Sequence, residues 1–244
     1  MVKYECLIIF VISCFLNESN TTKVPFLKPC GPNDFKCLLT VNTQISIPYL
    51  AAGIPELGVP ALEPMYFKNI TMDQGYFKFF LRNMKVVGAS GCKVVEMEHN
   101  VQEPALKITL DCPFEATGSY IFSGHIYLFA LKNEGEYKIQ TDSIRTTITT
   151  KIEEIYGDDG LKYWNLTDYE YFYEPLNKIH LDLGNFFSGD ISKVQPMLDS
   201  VNSDWWISIV KIGEPVARSI VKNFYDVIKM FFLRVPFNEL EMLN

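Results

Sequence analysis

The sequence predicts an α+β fold in which a highly curved antiparallel β-sheet wraps one long C-terminal helix. From residue 65 to about residue 185, short runs rich in aromatic and β-branched residues alternate with turn signals, a pattern typical of antiparallel strands. From residue 203 to about residue 234, apolar residues recur at three- and four-residue steps, which indicates a helix roughly 45 Å long. An apolar stripe of that length needs an equally long partner surface, and a curved sheet around the helix supplies one.

The N-terminus is typical of a secretory signal peptide. Lys3 precedes an apolar run over residues 7–16, which is about half the length of a membrane span, and a polar segment follows over residues 17–22. We expect residues 1–19 to be the signal peptide, with cleavage between 16 and 22, and residues 20–244 to form a single domain. The alternative is a buried N-terminal helix. Sequons at Asn20, Asn69 and Asn165 add the expectation of a secreted, extracellular glycoprotein.

Four cysteines remain after the predicted cleavage, an even number that fits a disulfide framework with three alternative pairings. Cys30 and Cys37 can close a short loop. Cys92 and Cys112 are equally distant from a turn at residues 100–104, so a symmetric hairpin would place them opposite each other at about 4.5 Å between Cα atoms. We therefore predict the disulfides Cys30–Cys37 and Cys92–Cys112. Two buried free thiols in place of the second bond are the alternative.

Composition and motifs argue against several classes of function. The net charge of −7 repels nucleic acid and anionic membranes, so neither nucleic acid binding nor stable membrane association is expected. Residues 88–91 lack the spacing of a nucleophile elbow, and His99, His125 and His180 are scattered. No cysteine pair has zinc-finger spacing. We expect the protein to be a monomer. We also expect it to have no enzymatic activity and to need neither a cofactor nor a metal.

The elements follow in order along the chain. Asn33 or Asp34 can cap a first helix whose apolar face carries Leu38, Val41, Ile45 and Tyr49. Pro48 should kink or shorten this helix, and Gly53 should end it. Residues 53–64, with three prolines and two glycines, predict an extended connector whose apolar side chains are buried.

The predicted strands lie near residues 65–72, 76–87, 92–99, 105–111, 118–131, 137–155, 161–173 and 177–184. Turn signals separate several of them, at residues 73–75, 88–91, 133–135 and 157–160. Ser203 or Asp204 can cap the long helix, and Gly213 with Pro215 predicts a kink within it.

Three motifs resemble the insect takeout and haemolymph juvenile-hormone-binding family. They are the Pro29-Cys30 to Cys37-Leu38 segment followed by YLAAGIPELGVP at residues 49–60, NFFSGD at residues 185–190, and FFLRVPFNEL at residues 231–240. The resemblance spans essentially the whole chain after the predicted signal peptide, in the family's order. Cys30 and Cys37 match the usual N-terminal disulfide. Cys92 and Cys112 depart from the pattern, which places the chain nearer the takeout-like and daywake-like members, with their link to circadian rhythm, than the hormone carriers.

The resemblance implies a tubular lipid-binding (TULIP-like) fold with an internal hydrophobic tunnel. Its ligand would be a small apolar molecule, such as a juvenile-hormone-like terpenoid or a fatty acid. Alternation along residues 120–130 leaves two candidate inward faces, and we favour the one that includes Gly124, because glycine admits a ligand close to the backbone. The candidate ligand contacts are Leu38, Val41, Ile45, Phe79, Phe122, Gly124, Ile126, Leu128, Trp206, Ile209, Val216, Ile220 and Phe224.

Within this hypothesis the first helix, tethered by the Cys30–Cys37 disulfide, would gate one end of the tunnel. The main alternative is an extracellular signalling or interaction protein whose core is filled by its own side chains. A lipid-transfer protein acting at membranes and an esterase are more distant alternatives.

Overall fold

The computed structural model describes residues 24–28, 30, 34, 36–75, 77–100, 102–126, 129–184 and 205–241. Within these ranges, the side chains of residues 38, 39, 125, 126, 129–131, 205–212 and 241 are not described. The predicted signal peptide, the sequon at Asn20 and the 185–190 motif lie outside the described residues.

The first helix has two parts, a π-helical segment, Lys36–Val41, and helix α1, Asn42–Ala52. The Asp34 carboxylate accepts a hydrogen bond from the Cys37 N–H at 3.0 Å, which is the capping role predicted for it. Gly53 ends α1 with a φ of 83°, a conformation that glycine adopts without steric cost. Pro48 lies inside the helix and does not end it.

The predicted apolar face of this first helix is wrong. Val41 and Tyr49 are 36% and 44% exposed, and Ile45 is only half-buried. The buried residues of α1 are Asn42, Ser46, Ile47 and Ala51. The π-helical segment explains the difference, because its i→i+5 hydrogen bonds take more residues per turn than an α-helix and so rotate the face that follows.

The connector after α1 is a compact turn and not the extended segment that we predicted. Ile54 and Val59 exchange two backbone hydrogen bonds, at 2.9 and 3.1 Å, around a 3₁₀ turn at Pro55–Leu57. The Leu62 N–H then donates to the Leu50 carbonyl of α1 at 3.1 Å. Ile54, Val59 and Leu62 are buried, as expected from their apolar character. The connector therefore covers the C-terminal end of α1.

Within the described residues, seven strands follow, and all of them pair antiparallel, as predicted. They are β1 (Met65–Asp73), β2 (Phe77–Val87), β3 (Lys93–Asn100), β4 (Ala105–Ile126), β5 (Phe129–Tyr156), β6 (Lys162–Pro175) and β7 (His180–Leu183). The sheet order is β1-β2-β4-β5-β6, with β3 paired to β4 and β7 paired to β5. Because β4 and β5 are long, β2 and β3 lie end to end along one edge of β4.

The turn predicted at residues 133–135 is wrong, and so is the division of β4 into two strands. Residues 133–135 lie within β5, where Gly135 pairs with Tyr120 of β4. A Cβ atom on Gly135 would lie 3.2 Å from the Tyr120 ring and even closer to the Gly184 carbonyl oxygen. The glycine that suggested a turn is therefore required by close packing inside the sheet.

The long helix, α2 (Trp205–Arg234), is followed by a short helix, α3 (Phe237–Glu241). Helix α2 packs against β6 and β1, the two outermost strands of the sheet path. It thus covers the gap between the sheet edges, which is the predicted arrangement of a curved sheet around a helix. Helix α2 continues through Pro215, and the kink predicted there stays a prediction.

The described core divides into two apolar clusters along α2. The first core cluster joins α1, β3, the start of β4 and the C-terminal half of α2, and includes Ile47, Leu62, Leu106, Ile108, Leu166, Val227 and Phe231. The second core cluster joins β1, β2, the rest of β4 and the middle of α2, and includes Met65, Leu81, Met84, Tyr120, Phe122, Tyr137 and Val216.

Candidate ligand-binding cavity

An apolar cavity of about 60 Å³ lies in the first core cluster, beneath α1 and against the C-terminal half of α2. Strands β3 and β4 supply the wall opposite the long helix. The lining residues are Thr43, Ile47, Leu50, Leu62, Ala89, Cys92, Met97, Ile108, Leu110, Phe224, Ile228, Phe231 and Phe232.

The lining offers a ligand almost only apolar contact. Among the described lining residues, Thr43 carries the one side-chain hydroxyl, which lies 2.7 Å from the Met97 sulfur. Cys92 is joined to Cys112 in a disulfide. A molecule in this cavity would therefore be held by burial of apolar surface and by shape.

Helix α1 is attached to the sheet through the amide of Gln44. The Gln44 Nε2 donates to the Cys92 carbonyl at 3.2 Å, and the Gln44 Oε1 accepts from the Val94 N–H at 2.8 Å. This side chain therefore pairs with the backbone at the start of β3, beside the cavity. On the other side of α1, the buried Asn42 side chain exchanges two hydrogen bonds with the Lys28 backbone, at 2.9 and 3.0 Å.

The position of α2 against β6 is fixed by Tyr225. Its hydroxyl donates to the Leu166 carbonyl at 2.9 Å, and its ring stacks on Tyr169 with 4.2 Å between centroids. Nearer the C-terminus, Trp164 of β6 contacts Phe232 and Phe237, at 5.5 and 4.9 Å between centroids. These contacts hold the face of α2 that lines the cavity.

Two ionisable groups near the cavity have shifted pKa values. Burial lowers the pKa of His99, whose ring lies 4.8 Å from that of Trp164, and the Lys162 charge adds to this effect while the Glu154 charge opposes it. Burial acts to raise the pKa of Glu63, but hydrogen bonds from Ser90 and Gly88 outweigh burial and hold it below its usual value. Glu63 thereby links the connector to the turn between β2 and β3.

The structure places the predicted ligand contacts in three groups. Phe224 lines the cavity. Phe79, Phe122, Val216 and Ile220 belong to the second core cluster or pack against it, and Gly124 pairs with Phe77 beside them. Val41 is exposed, and neither it nor Ile45 is among the lining residues of this cavity, so their contact with a ligand stays a prediction. The side chains of Leu38, Ile126, Leu128, Trp206 and Ile209 lie outside the described residues.

Sequence reasoning missed most of the lining residues. Thr43, Ile47 and Leu50 occur at steps of four and three residues and so share a face of α1, a signal that only the correct helical register reveals. Ile228, Phe231 and Phe232 belong to the apolar stripe of α2, but the period alone does not show which part of a stripe borders a cavity.

Both predicted disulfides are present. The Cα atoms are 5.7 Å apart in Cys30–Cys37 and 4.0 Å apart in Cys92–Cys112. The second bond joins the residue before β3 to β4, as the symmetric hairpin predicted, and it also borders the cavity. Within the described ranges, no group of three or more His, Cys, Asp or Glu side chains is placed to hold a metal ion. Nor do these ranges include a helix with the length and apolar character that spanning a membrane would need.

The family model described as "Haemolymph juvenile hormone binding protein (JHBP)" matches residues 6–241. The chain belongs to this family. The circadian clock-controlled protein daywake of Drosophila melanogaster is 25% identical over 93% of this chain and 91% of its own length. The daywake protein of Drosophila yakuba is 24% identical, with 87% and 86% covered.

Two further relatives extend the comparison. The "Putative beta-carotene-binding protein" of Schistocerca gregaria is 25% identical over 58% of each chain. The crystal structure of Takeout 1 from Epiphyas postvittana superposes with a TM-score of 0.75 at 21% identity, covering 83% of this chain and 94% of that one. The chain therefore has the tubular lipid-binding, TULIP-like α+β fold that its motifs implied. As a member of the JHBP family, it belongs among proteins that bind small hydrophobic ligands.

Proposed function

We propose that this JHBP-family protein is a secreted carrier of a small hydrophobic ligand, a terpenoid of the juvenile-hormone type or a fatty acid. The observation that carries the proposal is the apolar cavity between α1 and α2, where Thr43 supplies the only side-chain hydroxyl among the described lining residues. The carotene-binding description of the Schistocerca gregaria relative supports an apolar ligand. Two disulfides support an extracellular location, because such bonds persist in oxidising compartments.

The energetics of such binding are adequate without a charge pair. A fifteen-carbon terpenoid buries on the order of 400 Å², worth roughly 10 kcal/mol at about 25 cal/mol/Å². Lost translation and rotation offset about 4 kcal/mol of this, which leaves about 6 kcal/mol and an affinity on the order of tens of micromolar. The described cavity is smaller than such a ligand, so the ligand would extend beyond it.

The proposal includes the maturation and working state of the chain. Residues 1–19 are removed as a signal peptide, residues 20–244 act as one monomeric domain, and the domain catalyses no reaction. Helix α1 covers the cavity and is attached to β3 mainly through the Gln44 amide. The ligand enters when α1 moves away from β3.

The test begins with the full chain secreted from insect cells and examined by native mass spectrometry before and after organic extraction. A co-purified apolar molecule, and displacement of a fluorescent fatty acid from the extracted protein, are the expected results. A protein that is isolated empty and binds neither fatty acid nor terpenoid probes would instead favour the signalling or interaction function.

A pair of variants tests the cavity itself. Ala89→Met places a longer side chain in the cavity and should weaken probe binding, because Ala89 is buried and lines it. Val95→Met is the matched control, since Val95 is 45% exposed on the neighbouring strand β3. Equal probe affinity in the two folded variants would place the binding site elsewhere.

A further inference from the structure

Phe224 occupies the boundary between the two core clusters. Among the described residues, it alone packs against both of them. It is also the one lining residue of the described cavity that contacts the second core cluster. The cavity and the second core cluster are therefore neighbours, with the Phe224 side chain at their junction.

The order of residues along α2 agrees with this position. Val216 and Ile220, two turns and one turn before Phe224, pack in the second core cluster. Ile228 and Phe231, one and two turns after it, line the cavity in the first. Because residues four apart on a helix share a face, Phe224 points toward the same interior as both groups.

The direction of the Phe224 side chain is held by its neighbour. Tyr225 is bonded to the Leu166 carbonyl and stacked on Tyr169, which fixes the rotation of α2 about its axis at this level. An aromatic ring on a fixed backbone is a firm partition, since Phe has few side-chain rotamers. On the side away from the cavity, the ring packs against the second core cluster.

We propose that Phe224 is a specificity-determining residue that sets the length of the ligand by closing the cavity on the side of the second core cluster. This inference rests on the proposed carrier function. The ligands it selects among are chain-like lipids, whose apolar end enters the cavity beneath α1 and stops at the Phe224 ring. Replacing the ring with a small side chain extends the cavity toward the second core cluster.

The experiment measures the Kd of straight-chain alcohols from octanol to octadecanol by displacement of a fluorescent fatty acid from the extracted, full-length protein. Each added methylene that is buried should tighten binding about fourfold, until the chain reaches the partition and affinity levels off. Phe224→Ala should move this plateau to longer alcohols, and Phe224→Trp should move it to shorter ones.

Two further variants keep the outcome decisive. Phe224→Leu retains apolar packing and replaces Phe224→Ala in the experiment if the alanine variant fails to fold. Its plateau should also move to longer alcohols. Ile228→Ala widens the same cavity without contact to the second core cluster, so its plateau should not move along the series. An unchanged plateau in all folded Phe224 variants, with normal binding by the unsubstituted protein, overturns the role of Phe224. If the unsubstituted protein binds no alcohol, no fatty acid and no terpenoid probe, the carrier function itself is overturned, and this inference with it.

Discussion

The ring of Tyr137 on β5 lies against the backbone of Gly118, its antiparallel partner on β4. A Cβ atom on Gly118 would lie 2.9 Å from the Tyr137 hydroxyl oxygen and 3.1 Å from the ring. Tyr137 is 3% exposed, and its hydroxyl has no hydrogen-bond partner within the described part of the chain. Burial, together with the nearby Glu136 charge, raises the pKa of Tyr137, so the hydroxyl stays protonated.

Removing this hydroxyl should stabilise the protein. A buried polar group without a partner costs about 1–3 kcal/mol, so Tyr137→Phe should raise the free energy of unfolding by about 1 kcal/mol. Urea denaturation followed by tryptophan fluorescence measures the change.

Tyr120→Phe is the matched control, because the Tyr120 hydroxyl donates to the Gly184 carbonyl at 2.9 Å. That variant should lose about 1 kcal/mol. If Tyr137→Phe were also destabilising, the Tyr137 hydroxyl would have to be engaged in the folded protein, for example by a buried water.

The same pairing of tyrosine and glycine shows where prediction from the sequence fails. Tyr120 lies over Gly135 as Tyr137 lies over Gly118, so two glycines serve close packing across β4 and β5. From the sequence, such a glycine predicts a turn. Its real role depends on a tyrosine that is distant along the chain, and a local pattern does not include that residue. The approximate positions of β1, β2, β3 and β6, the antiparallel pairing and the α2 stripe leave local signals in the sequence, and these were predicted correctly.

The candidate site was less predictable for a related reason. One π-helical segment before α1 rotates the face of the helix that follows it. Regular α-helical spacing from Leu38 therefore assigned Val41 to the buried face, although Val41 is exposed. The same spacing missed Ile47, which lines the cavity. On α2, where the helix is regular, the same reasoning placed Phe224 in the interior. The sequence thus identifies apolar stripes, whereas the packing of distant elements decides which part of a stripe borders a cavity.

Removing the Cys30–Cys37 disulfide should speed ligand release if α1 gates the cavity. The bond joins two cysteines that are seven positions apart, ahead of α1. Its loss should destabilise the position of α1 over the cavity by about 2 kcal/mol. The double variant Cys30→Ser with Cys37→Ser should therefore raise the dissociation rate of a fluorescent fatty acid by up to about thirtyfold in stopped-flow chase experiments.

Gln44→Ala should act in the same direction, because it removes the amide that attaches α1 to Cys92 and Val94. The exposed Val95→Ala is the control and should leave the rate unchanged. Dissociation rates that are equal in all three folded variants would show that ligand leaves by another route.

Stability should fall as the solution is acidified below neutral pH, through His99. Burial lowers the folded-state pKa of His99 below the ordinary histidine value of about 6.5, so the unfolded chain binds more protons in the interval between the two values. The contribution of His99 to the free energy of unfolding is therefore fully present above pH 6.5 and is lost as the pH falls through that interval. Urea midpoints measured at steps from pH 7.5 to pH 5 give the slope.

His99→Gln should flatten this part of the profile, since it removes the titrating ring beside Trp164. His180→Gln is the control, because His180 is exposed on β7. A profile that stays equally steep in His99→Gln would assign the acid sensitivity to other groups.

Glycosylation should occur at Asn69 and at Asn165, because both side chains can reach the outer surface of the sheet. Asn69 is exposed on the outermost strand β1. Asn165 is half-buried on β6, and its amide donates to the Glu153 carboxylate of the neighbouring strand at 3.2 Å. A glycan on Asn165 keeps one amide hydrogen, so the bond to Glu153 can persist beside the sugar.

For protein secreted from insect cells, Asn69→Gln and Asn165→Gln should each lower the mass by one glycan, as measured by intact mass spectrometry before and after glycosidase treatment. Glu153→Ala is the control for Asn165, and it should leave the mass of the glycan unchanged. Full occupancy at Asn69 with none at Asn165 would mean that the strand pairing of Asn165 excludes the sugar. A chain without sugar at either position would contradict the predicted passage through the secretory pathway, which these two acceptors test independently of any ligand.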